Sequence, residues 1–147
     1  MFKKLANIAT GMFKDGERML NRAIDKATFK RIVYAAYLIA SADGDFDSDE
    51  KASLVKLINR DFPDFDTQDI MKAIQECDDK IAFDKVLGTQ EIVDEVSKSK
   101  ENEDDAKRVM LVCAFIGKAD GDYDRDEQLM ARKICKSLNL ETTDYGI

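Results

Sequence analysis

Histidine and tryptophan are absent from the chain, and proline occurs once, at Pro63. Without histidine there is no imidazole to act as general base and none of the nitrogen ligands that zinc and copper favour. Nucleophile-elbow, P-loop and dinucleotide-binding glycine patterns are missing as well, so an enzyme is not expected. One proline and seven glycines in 147 residues leave few breaks, which favours an all-helical protein over a sheet-rich one. The three cysteines, Cys77, Cys113 and Cys135, are odd in number, far apart and never in a C-x-x-C arrangement. That pattern suggests neither a disulfide framework nor a zinc site; buried, reduced thiols are expected. No apolar run reaches the ~20 residues that span a bilayer. The basic, apolar start is interrupted by Asn7, Thr10 and Asp15 and lacks a cleavage-site pattern, so a signal peptide is not expected.

What is present is charge, unevenly placed. The chain is 44% hydrophobic and 36% charged, a balance that supports a folded core. Residues 1–31 carry a net charge of +5 and the remainder −12. An acidic body argues against nucleic acid as a partner, because binding it needs a basic footprint. Within the basic start, Phe2, Leu5, Ile8, Ala9, Met12 and Phe13 recur at helical spacing, and Met19, Leu20, Ala23 and Ile24 continue the period. This segment reads either as a terminal helix packed on the domain or, through residues 2–26, as a basic amphipathic contact with a membrane surface.

The dominant motif occurs twice. Ala42-Asp43-Gly44-Asp45-Phe46-Asp47-Ser48-Asp49-Glu50 returns 77 positions later as Ala119-Asp120-Gly121-Asp122-Tyr123-Asp124-Arg125-Asp126-Glu127. Each copy packs five carboxylates into eight residues. Neighbouring charges ~6 Å apart repel by about 0.7 kcal/mol per pair even in water, so something offsets the cluster. Each copy follows an apolar helical stretch (residues 28–40 and 106–118) and precedes another, carrying Leu54, Leu57 and Ile58 or Leu129, Met130 and Ile134. Thr28 is the expected N-cap of the first of these helices, and Gly44 suits a left-handed position at its end. Asp47 with Glu50, and Asp124 with Glu127, form capping boxes.

Between the repeats, Asp66 or Thr67 is expected to cap a helix through Cys77, with Asp78-Asp79 as a bend. Gly88 closes the next apolar stretch and Thr89 caps a further helix. Residues 97–105 read as an exposed polar connection, and Leu140, Tyr145 and Ile147 are available to pin the tail.

These readings predict a single domain over 1–147. It comprises a basic segment (1–27), a first repeat (28–60), middle helices (61–104), a second repeat (105–138) and a tail (139–147). The fold class is all-α: a compact bundle of helix–acidic loop–helix units related by an internal pseudo-two-fold duplication. The acidic loops are not EF-hands, since Ser48 and Arg125 replace the turn glycine and Leu54 and Ala131 replace the bidentate glutamate. Helix capping accounts for Asp47, Asp124 and the first-turn acids. The surplus is Asp43, Asp45, Asp120 and Asp122, which suit a hard divalent cation such as Ca2+ or Mg2+ or, in a metal-independent reading, a basic partner or the chain's own basic segment.

The two spaced Asp-Gly…Glu motifs, with the Phe-rich basic start and the closing Leu138-Asn139-Leu140 and Tyr145-Gly146-Ile147, resemble the tellurite-resistance TerB family over nearly the full length. The resemblance implies about seven to eight helices, and a cytoplasmic protein of a tellurite or stress-resistance system. It further implies work beside a membrane protein and calcium-binding TerD-type companions, and so a place at the inner face of the membrane. It carries proposed cation ligands onto Asp43, Asp47 and Glu50 and onto Asp120, Asp124 and Glu127. Chemistry on tellurite itself would call for converging soft thiols, which three dispersed cysteines do not offer. The expected function is a non-enzymatic, cation-binding adaptor, with a metal-independent interaction module as the alternative.

Overall fold

A computed structural model describes residues 24–119 and 124–147. All regular structure among them is helical: α1 (Lys26–Ala40), α2 (Ser48–Asp61), α3 (Thr67–Phe83), α4 (Lys85–Ser97), α5 (Glu103–Ala119) and α6 (Arg125–Ser137), with 3-10 turns at Lys98–Glu101 and Thr142–Tyr145. The expected seven to eight helices referred to the whole chain. The basic segment up to residue 23 and the loop centre Asp120, Gly121, Asp122 and Tyr123 lie outside the described residues.

The hub is α1, which packs against each of the other five α-helices. Its sequence explains why. Phe29, Ile32, Val33, Ala35, Ala36, Leu38 and Ile39 leave no polar stripe, and every residue from Ile32 to Ile39 is buried. A helix that is apolar all round is stable only in the middle of a bundle. Its two tyrosines are buried as well, and their hydroxyls reach out to acids on α3: Tyr34 donates to Glu76 at 2.6 Å and Tyr37 to Asp78 at 2.8 Å. Burial, reinforced by these hydrogen bonds to carboxylates, pushes both phenols far above their usual range. The pairings advance together along the two chains, so α1 and α3 run in the same sense. The second helix buried on nearly every side is α5, with residues 108–117 all inaccessible, including Arg108, which pairs with Asp105 at 3.1 Å.

Aspartates write the helix starts. Asp25, not Thr28, caps α1: its carboxylate accepts the Thr28 N–H at 2.7 Å, while Thr28 itself is buried in the first turn. An ionised carboxylate answers the helix dipole better than a hydroxyl, and the hydrogen bonds from Thr28 hold the Asp25 carboxyl below its ordinary value. Asp66 caps α3 and accepts from Gln68 N–H at 2.9 Å. Asp78-Asp79 does not bend α3, which continues unbroken to Phe83. Asp78 is taken up by Tyr37 and by Lys51 at 2.7 Å, and Asp79 by Gln75, one turn back, at 2.9 Å.

The α3–α4 junction also departs from the expected break at Gly88 and cap at Thr89. A single residue, Asp84, joins the helices: its N–H closes α3 on Lys80 O at 3.2 Å and its carboxylate opens α4 by accepting from Leu87 N–H at 2.9 Å. Gly88 lies inside α4 and is buried against the α3 backbone, where an added Cβ would sit 2.3 Å from Lys80 O. Thr89 instead donates back to Lys85 O at 2.6 Å. The polar stretch 97–105 is no open connection: it winds into a 3-10 turn with Ser99 buried, and Asn102 caps α5, which opens at Glu103, three residues before the expected Ala106. Past α6, Tyr145 is buried and Leu140 and Ile147 pack on the core, so the tail is pinned as expected.

The three cysteines are free and buried. Burial drives the thiols of Cys77 and Cys113 far up from the usual value and that of Cys135 to about 11, so none is a thiolate at neutral pH. The native protein is therefore expected to leave Ellman's reagent almost unreacted, and guanidinium to release three thiols per chain. Prompt reaction of any thiol in the native state would contradict this burial.

Candidate functional site

The first acidic loop leaves α1 after Ala40. Ser41 ties the end by donating its hydroxyl to Tyr37 O at 2.7 Å. Gly44 stands at φ +93°, a left-handed conformation strained for residues with a Cβ, in the turn beyond the helix end and not directly after it. Asp43 accepts the Asp45 N–H at 3.0 Å, and Asp47 opens α2 by accepting Glu50 N–H at 2.8 Å. Between them Phe46 anchors the loop: its ring meets Tyr37 edge-on at 5.1 Å, and the Lys51 ammonium lies 5.7 Å from its centre. Lys51 in turn pairs with Asp78. The exposed carboxylates thus ride on a seated aromatic, a clamped lysine and two helix ends.

Asp43, Asp45, Asp47, Asp49 and Glu50 are all exposed. Asp43 and Asp47 each commit an oxygen to the backbone, whereas the Asp45 and Asp49 side chains make no hydrogen bond or ion pair. Two clefts flank the loop. One, of about 360 Å³, has Asp47, Asp49 and Glu50 on its rim and Phe46, Leu57 and Ile116 among its apolar lining. The other, of about 240 Å³, runs from Ser41, Gly44 and Phe46 to Ile81, Lys85 and Thr89 at the α3–α4 junction.

The second loop repeats the capping geometry but not the surroundings. Asp124 accepts Glu127 N–H at 2.8 Å, matching Asp47 and Glu50. Glu127, however, is 7% exposed, whereas Glu50 faces solvent. The equivalence expected of the two copies therefore holds for the cap and fails for the glutamate. Asp120 and Asp122 lie outside the described residues.

Tested as a cation site, the donor set fits in chemistry: carboxylate oxygens in a D-x-D-x-D run suit Ca2+ or Mg2+. Among the described residues no three potential ligands converge into a ready-made cage. No described helix is long and apolar enough to cross a membrane.

Three features of this region are invisible to local sequence reading. Asp78 and Lys51, which brace the loop, come from different helices and meet only in the folded chain. The third is an apolar corner beside the second cleft: Phe83, Val86 and Leu87 are 89%, 78% and 58% exposed. In the sequence they belong only to the apolar stretch ahead of Gly88, which carries no signal of exposure.

Comparison with known proteins agrees with the helical architecture. The model of the family described as "Tellurite resistance protein TerB" matches residues 29–146. Neither the curated proteins nor the solved structures that were searched give a match.

Proposed function

Because the chain belongs to the TerB family, we propose that it is a non-enzymatic cytoplasmic adaptor of a tellurite or stress-resistance system, responding to a divalent cation and presenting a surface to a membrane partner and to TerD-type proteins. The observation that carries this reading is the first acidic loop: five exposed carboxylates, of which capping and the helix dipole account for Asp47, Asp49 and Glu50 and leave Asp43 and Asp45 over. Asp43, Asp45, Asp47 and Glu50 would hold the ion in the first loop, and Asp120, Asp122, Asp124 and Glu127 in the second. A bound calcium or magnesium ion would supply positive charge against the mutual repulsion of the cluster. Phe46, seated on Tyr37 and Lys51, makes the loop's base rigid, so a change in the carboxylate arrangement is felt at the start of α2.

Calorimetric titration with calcium and with magnesium tests this reading. Submillimolar binding is expected, weakened at least tenfold in Asp43→Asn/Asp120→Asn. Ligand binding to the folded state alone stabilises it by about 2.7 kcal/mol at a hundredfold excess over Kd, so saturating cation is also expected to raise the melting temperature by several degrees. No heat and no thermal shift at millimolar cation would remove the metal from the proposal. The metal-independent module would then stand, and it is favoured by the lack of a converging ligand cage among the described residues.

A further inference from the structure

The α3–α4 corner is built to stay exposed. With only Asp84 between two helices, and Gly88 pressed on the Lys80 backbone, the chain reverses within a few residues. Asp84 caps both helix ends, and the junction around it stays open to water. Phe83, Val86 and Leu87 are thereby held outward together on a rigid frame. Scattered exposed apolar residues are ordinary, but three large ones clustered on a stiff corner mark a contact surface.

Charge decides what covers it. Residues 42–51 and 78–91, the two segments facing each other across the 240 Å³ cleft, contain nine acids and three lysines. Lys51 pairs with Asp78 and Lys80 with Glu91, which leaves seven acids against Lys85 on the cleft wall. Pairing this face with the same face of a second copy would bring the acids against themselves, and an anionic lipid surface pressed on it would meet like charge; both are disfavoured over the ~8 Å range of electrostatics at physiological salt. A basic partner gains where those two lose.

We propose that the α3–α4 corner and the first acidic loop form one docking surface for a basic amphipathic helix of a partner protein. Apolar side chains one turn apart on that helix seat on Phe83, Val86 and Leu87, and its lysines or arginines reach Asp43 and Asp45, which flank Gly44 on the far wall of the cleft. This deepens the adaptor reading and rests on it, but not on cation binding.

The probe is a fluorescein-labelled 18-residue peptide of leucine and lysine arranged as an amphipathic helix, followed by anisotropy at 150 mM salt and by amide chemical-shift mapping. Scrambling its order to abolish the apolar face is expected to weaken binding at least tenfold. Shift changes are expected at residues 41–51 and 78–90. Both Phe83→Ser/Val86→Ser/Leu87→Ser and Asp43→Asn/Asp45→Asn are expected to lower affinity at least tenfold with unchanged circular dichroism, since all five side chains are exposed. Equal affinity in the serine triple variant, or shifts mapping elsewhere, overturns the docking surface. If the asparagine variant alone loses affinity, the acidic-face module survives and the apolar corner is removed from it. If sedimentation of the wild type shows a dimer that the serine variant abolishes, or if the corner is needed for binding phosphatidylglycerol vesicles, the occupant is a second copy or a membrane, and the basic-helix assignment is wrong.

Discussion

Gly88→Ala is expected to destabilise the protein by about 2 kcal/mol, the upper end of the usual overpacking cost less the helix-propensity gain. In an exposed helix interior the same change stabilises by roughly 0.8–1.0 kcal/mol, because alanine loses less backbone freedom. Here the new methyl would stand 2.3 Å from Lys80 O and 2.5 Å from the carbonyl carbon. Those atoms belong to the α3 backbone and cannot swing aside as a side chain would. Relief requires moving α4 off α3, two helices whose mutual packing is among the heaviest in the bundle. Overpacking of this kind costs about 1–3 kcal/mol and sometimes more, which outweighs the helix-propensity gain. For a domain of this size the melting temperature is expected to fall by roughly 6–8 °C. Urea denaturation of the two proteins measures the difference directly. A Gly88→Ala protein more stable than the parent would mean that α4 does not approach α3 so closely, and the rigid corner would go with it.

Ile32→Ala and Phe83→Ala form the second pair of expected results, with opposite outcomes from similarly hydrophobic residues. Ile32 is fully inaccessible on the helix that touches all the others. Its truncation leaves a cavity in the closely packed core, at a cost of about 2–5 kcal/mol. Phe83 is 89% exposed, so losing its ring changes stability by no more than about 0.5 kcal/mol. Chemical denaturation of both variants reads the contrast. A large loss for Phe83→Ala would show that the ring is covered within the chain, leaving no corner to be docked upon.

The contrast also marks where the sequence stops being legible. In α1 the apolar residues recur on every side of the helix, so a buried hub could be read from the residues themselves. The capping aspartates Asp47 and Asp124 were equally plain, because an N-cap bond is local and spans three residues. Thr28 and Thr89 misled for a related reason: each is a good capping residue, but Asp25 stands three residues and Asp84 five residues earlier, and an ionised carboxylate competes better. Gly88 looked like a helix end because local pattern cannot distinguish a glycine required by φ from one required by a neighbouring backbone. Its actual constraint comes from Lys80, eight residues earlier and on another helix.

The acidic loops divide in the same way. Their density, their repetition at a spacing of 77 and the cap within each are properties of the residues. That Glu50 faces solvent while Glu127 is buried depends on what packs above each helix start. That the first loop is braced by Phe46 on Tyr37, and by Lys51 between Phe46 and Asp78, depends on α1, α2 and α3 meeting at one end of the bundle.

By itself, then, the sequence determined an all-helical chain, the family, a central apolar helix and two aspartate-capped acidic turns, because periodicity, breaker content and capping act within a few residues of chain. Only the tertiary structure decided which apolar residues face water, which glutamate of the repeated pair is buried and what braces the loop. Those outcomes turn on contacts between segments remote in sequence, where hydrophobicity alone cannot say whether Ile32 and Phe83 end up on the same side of the protein surface.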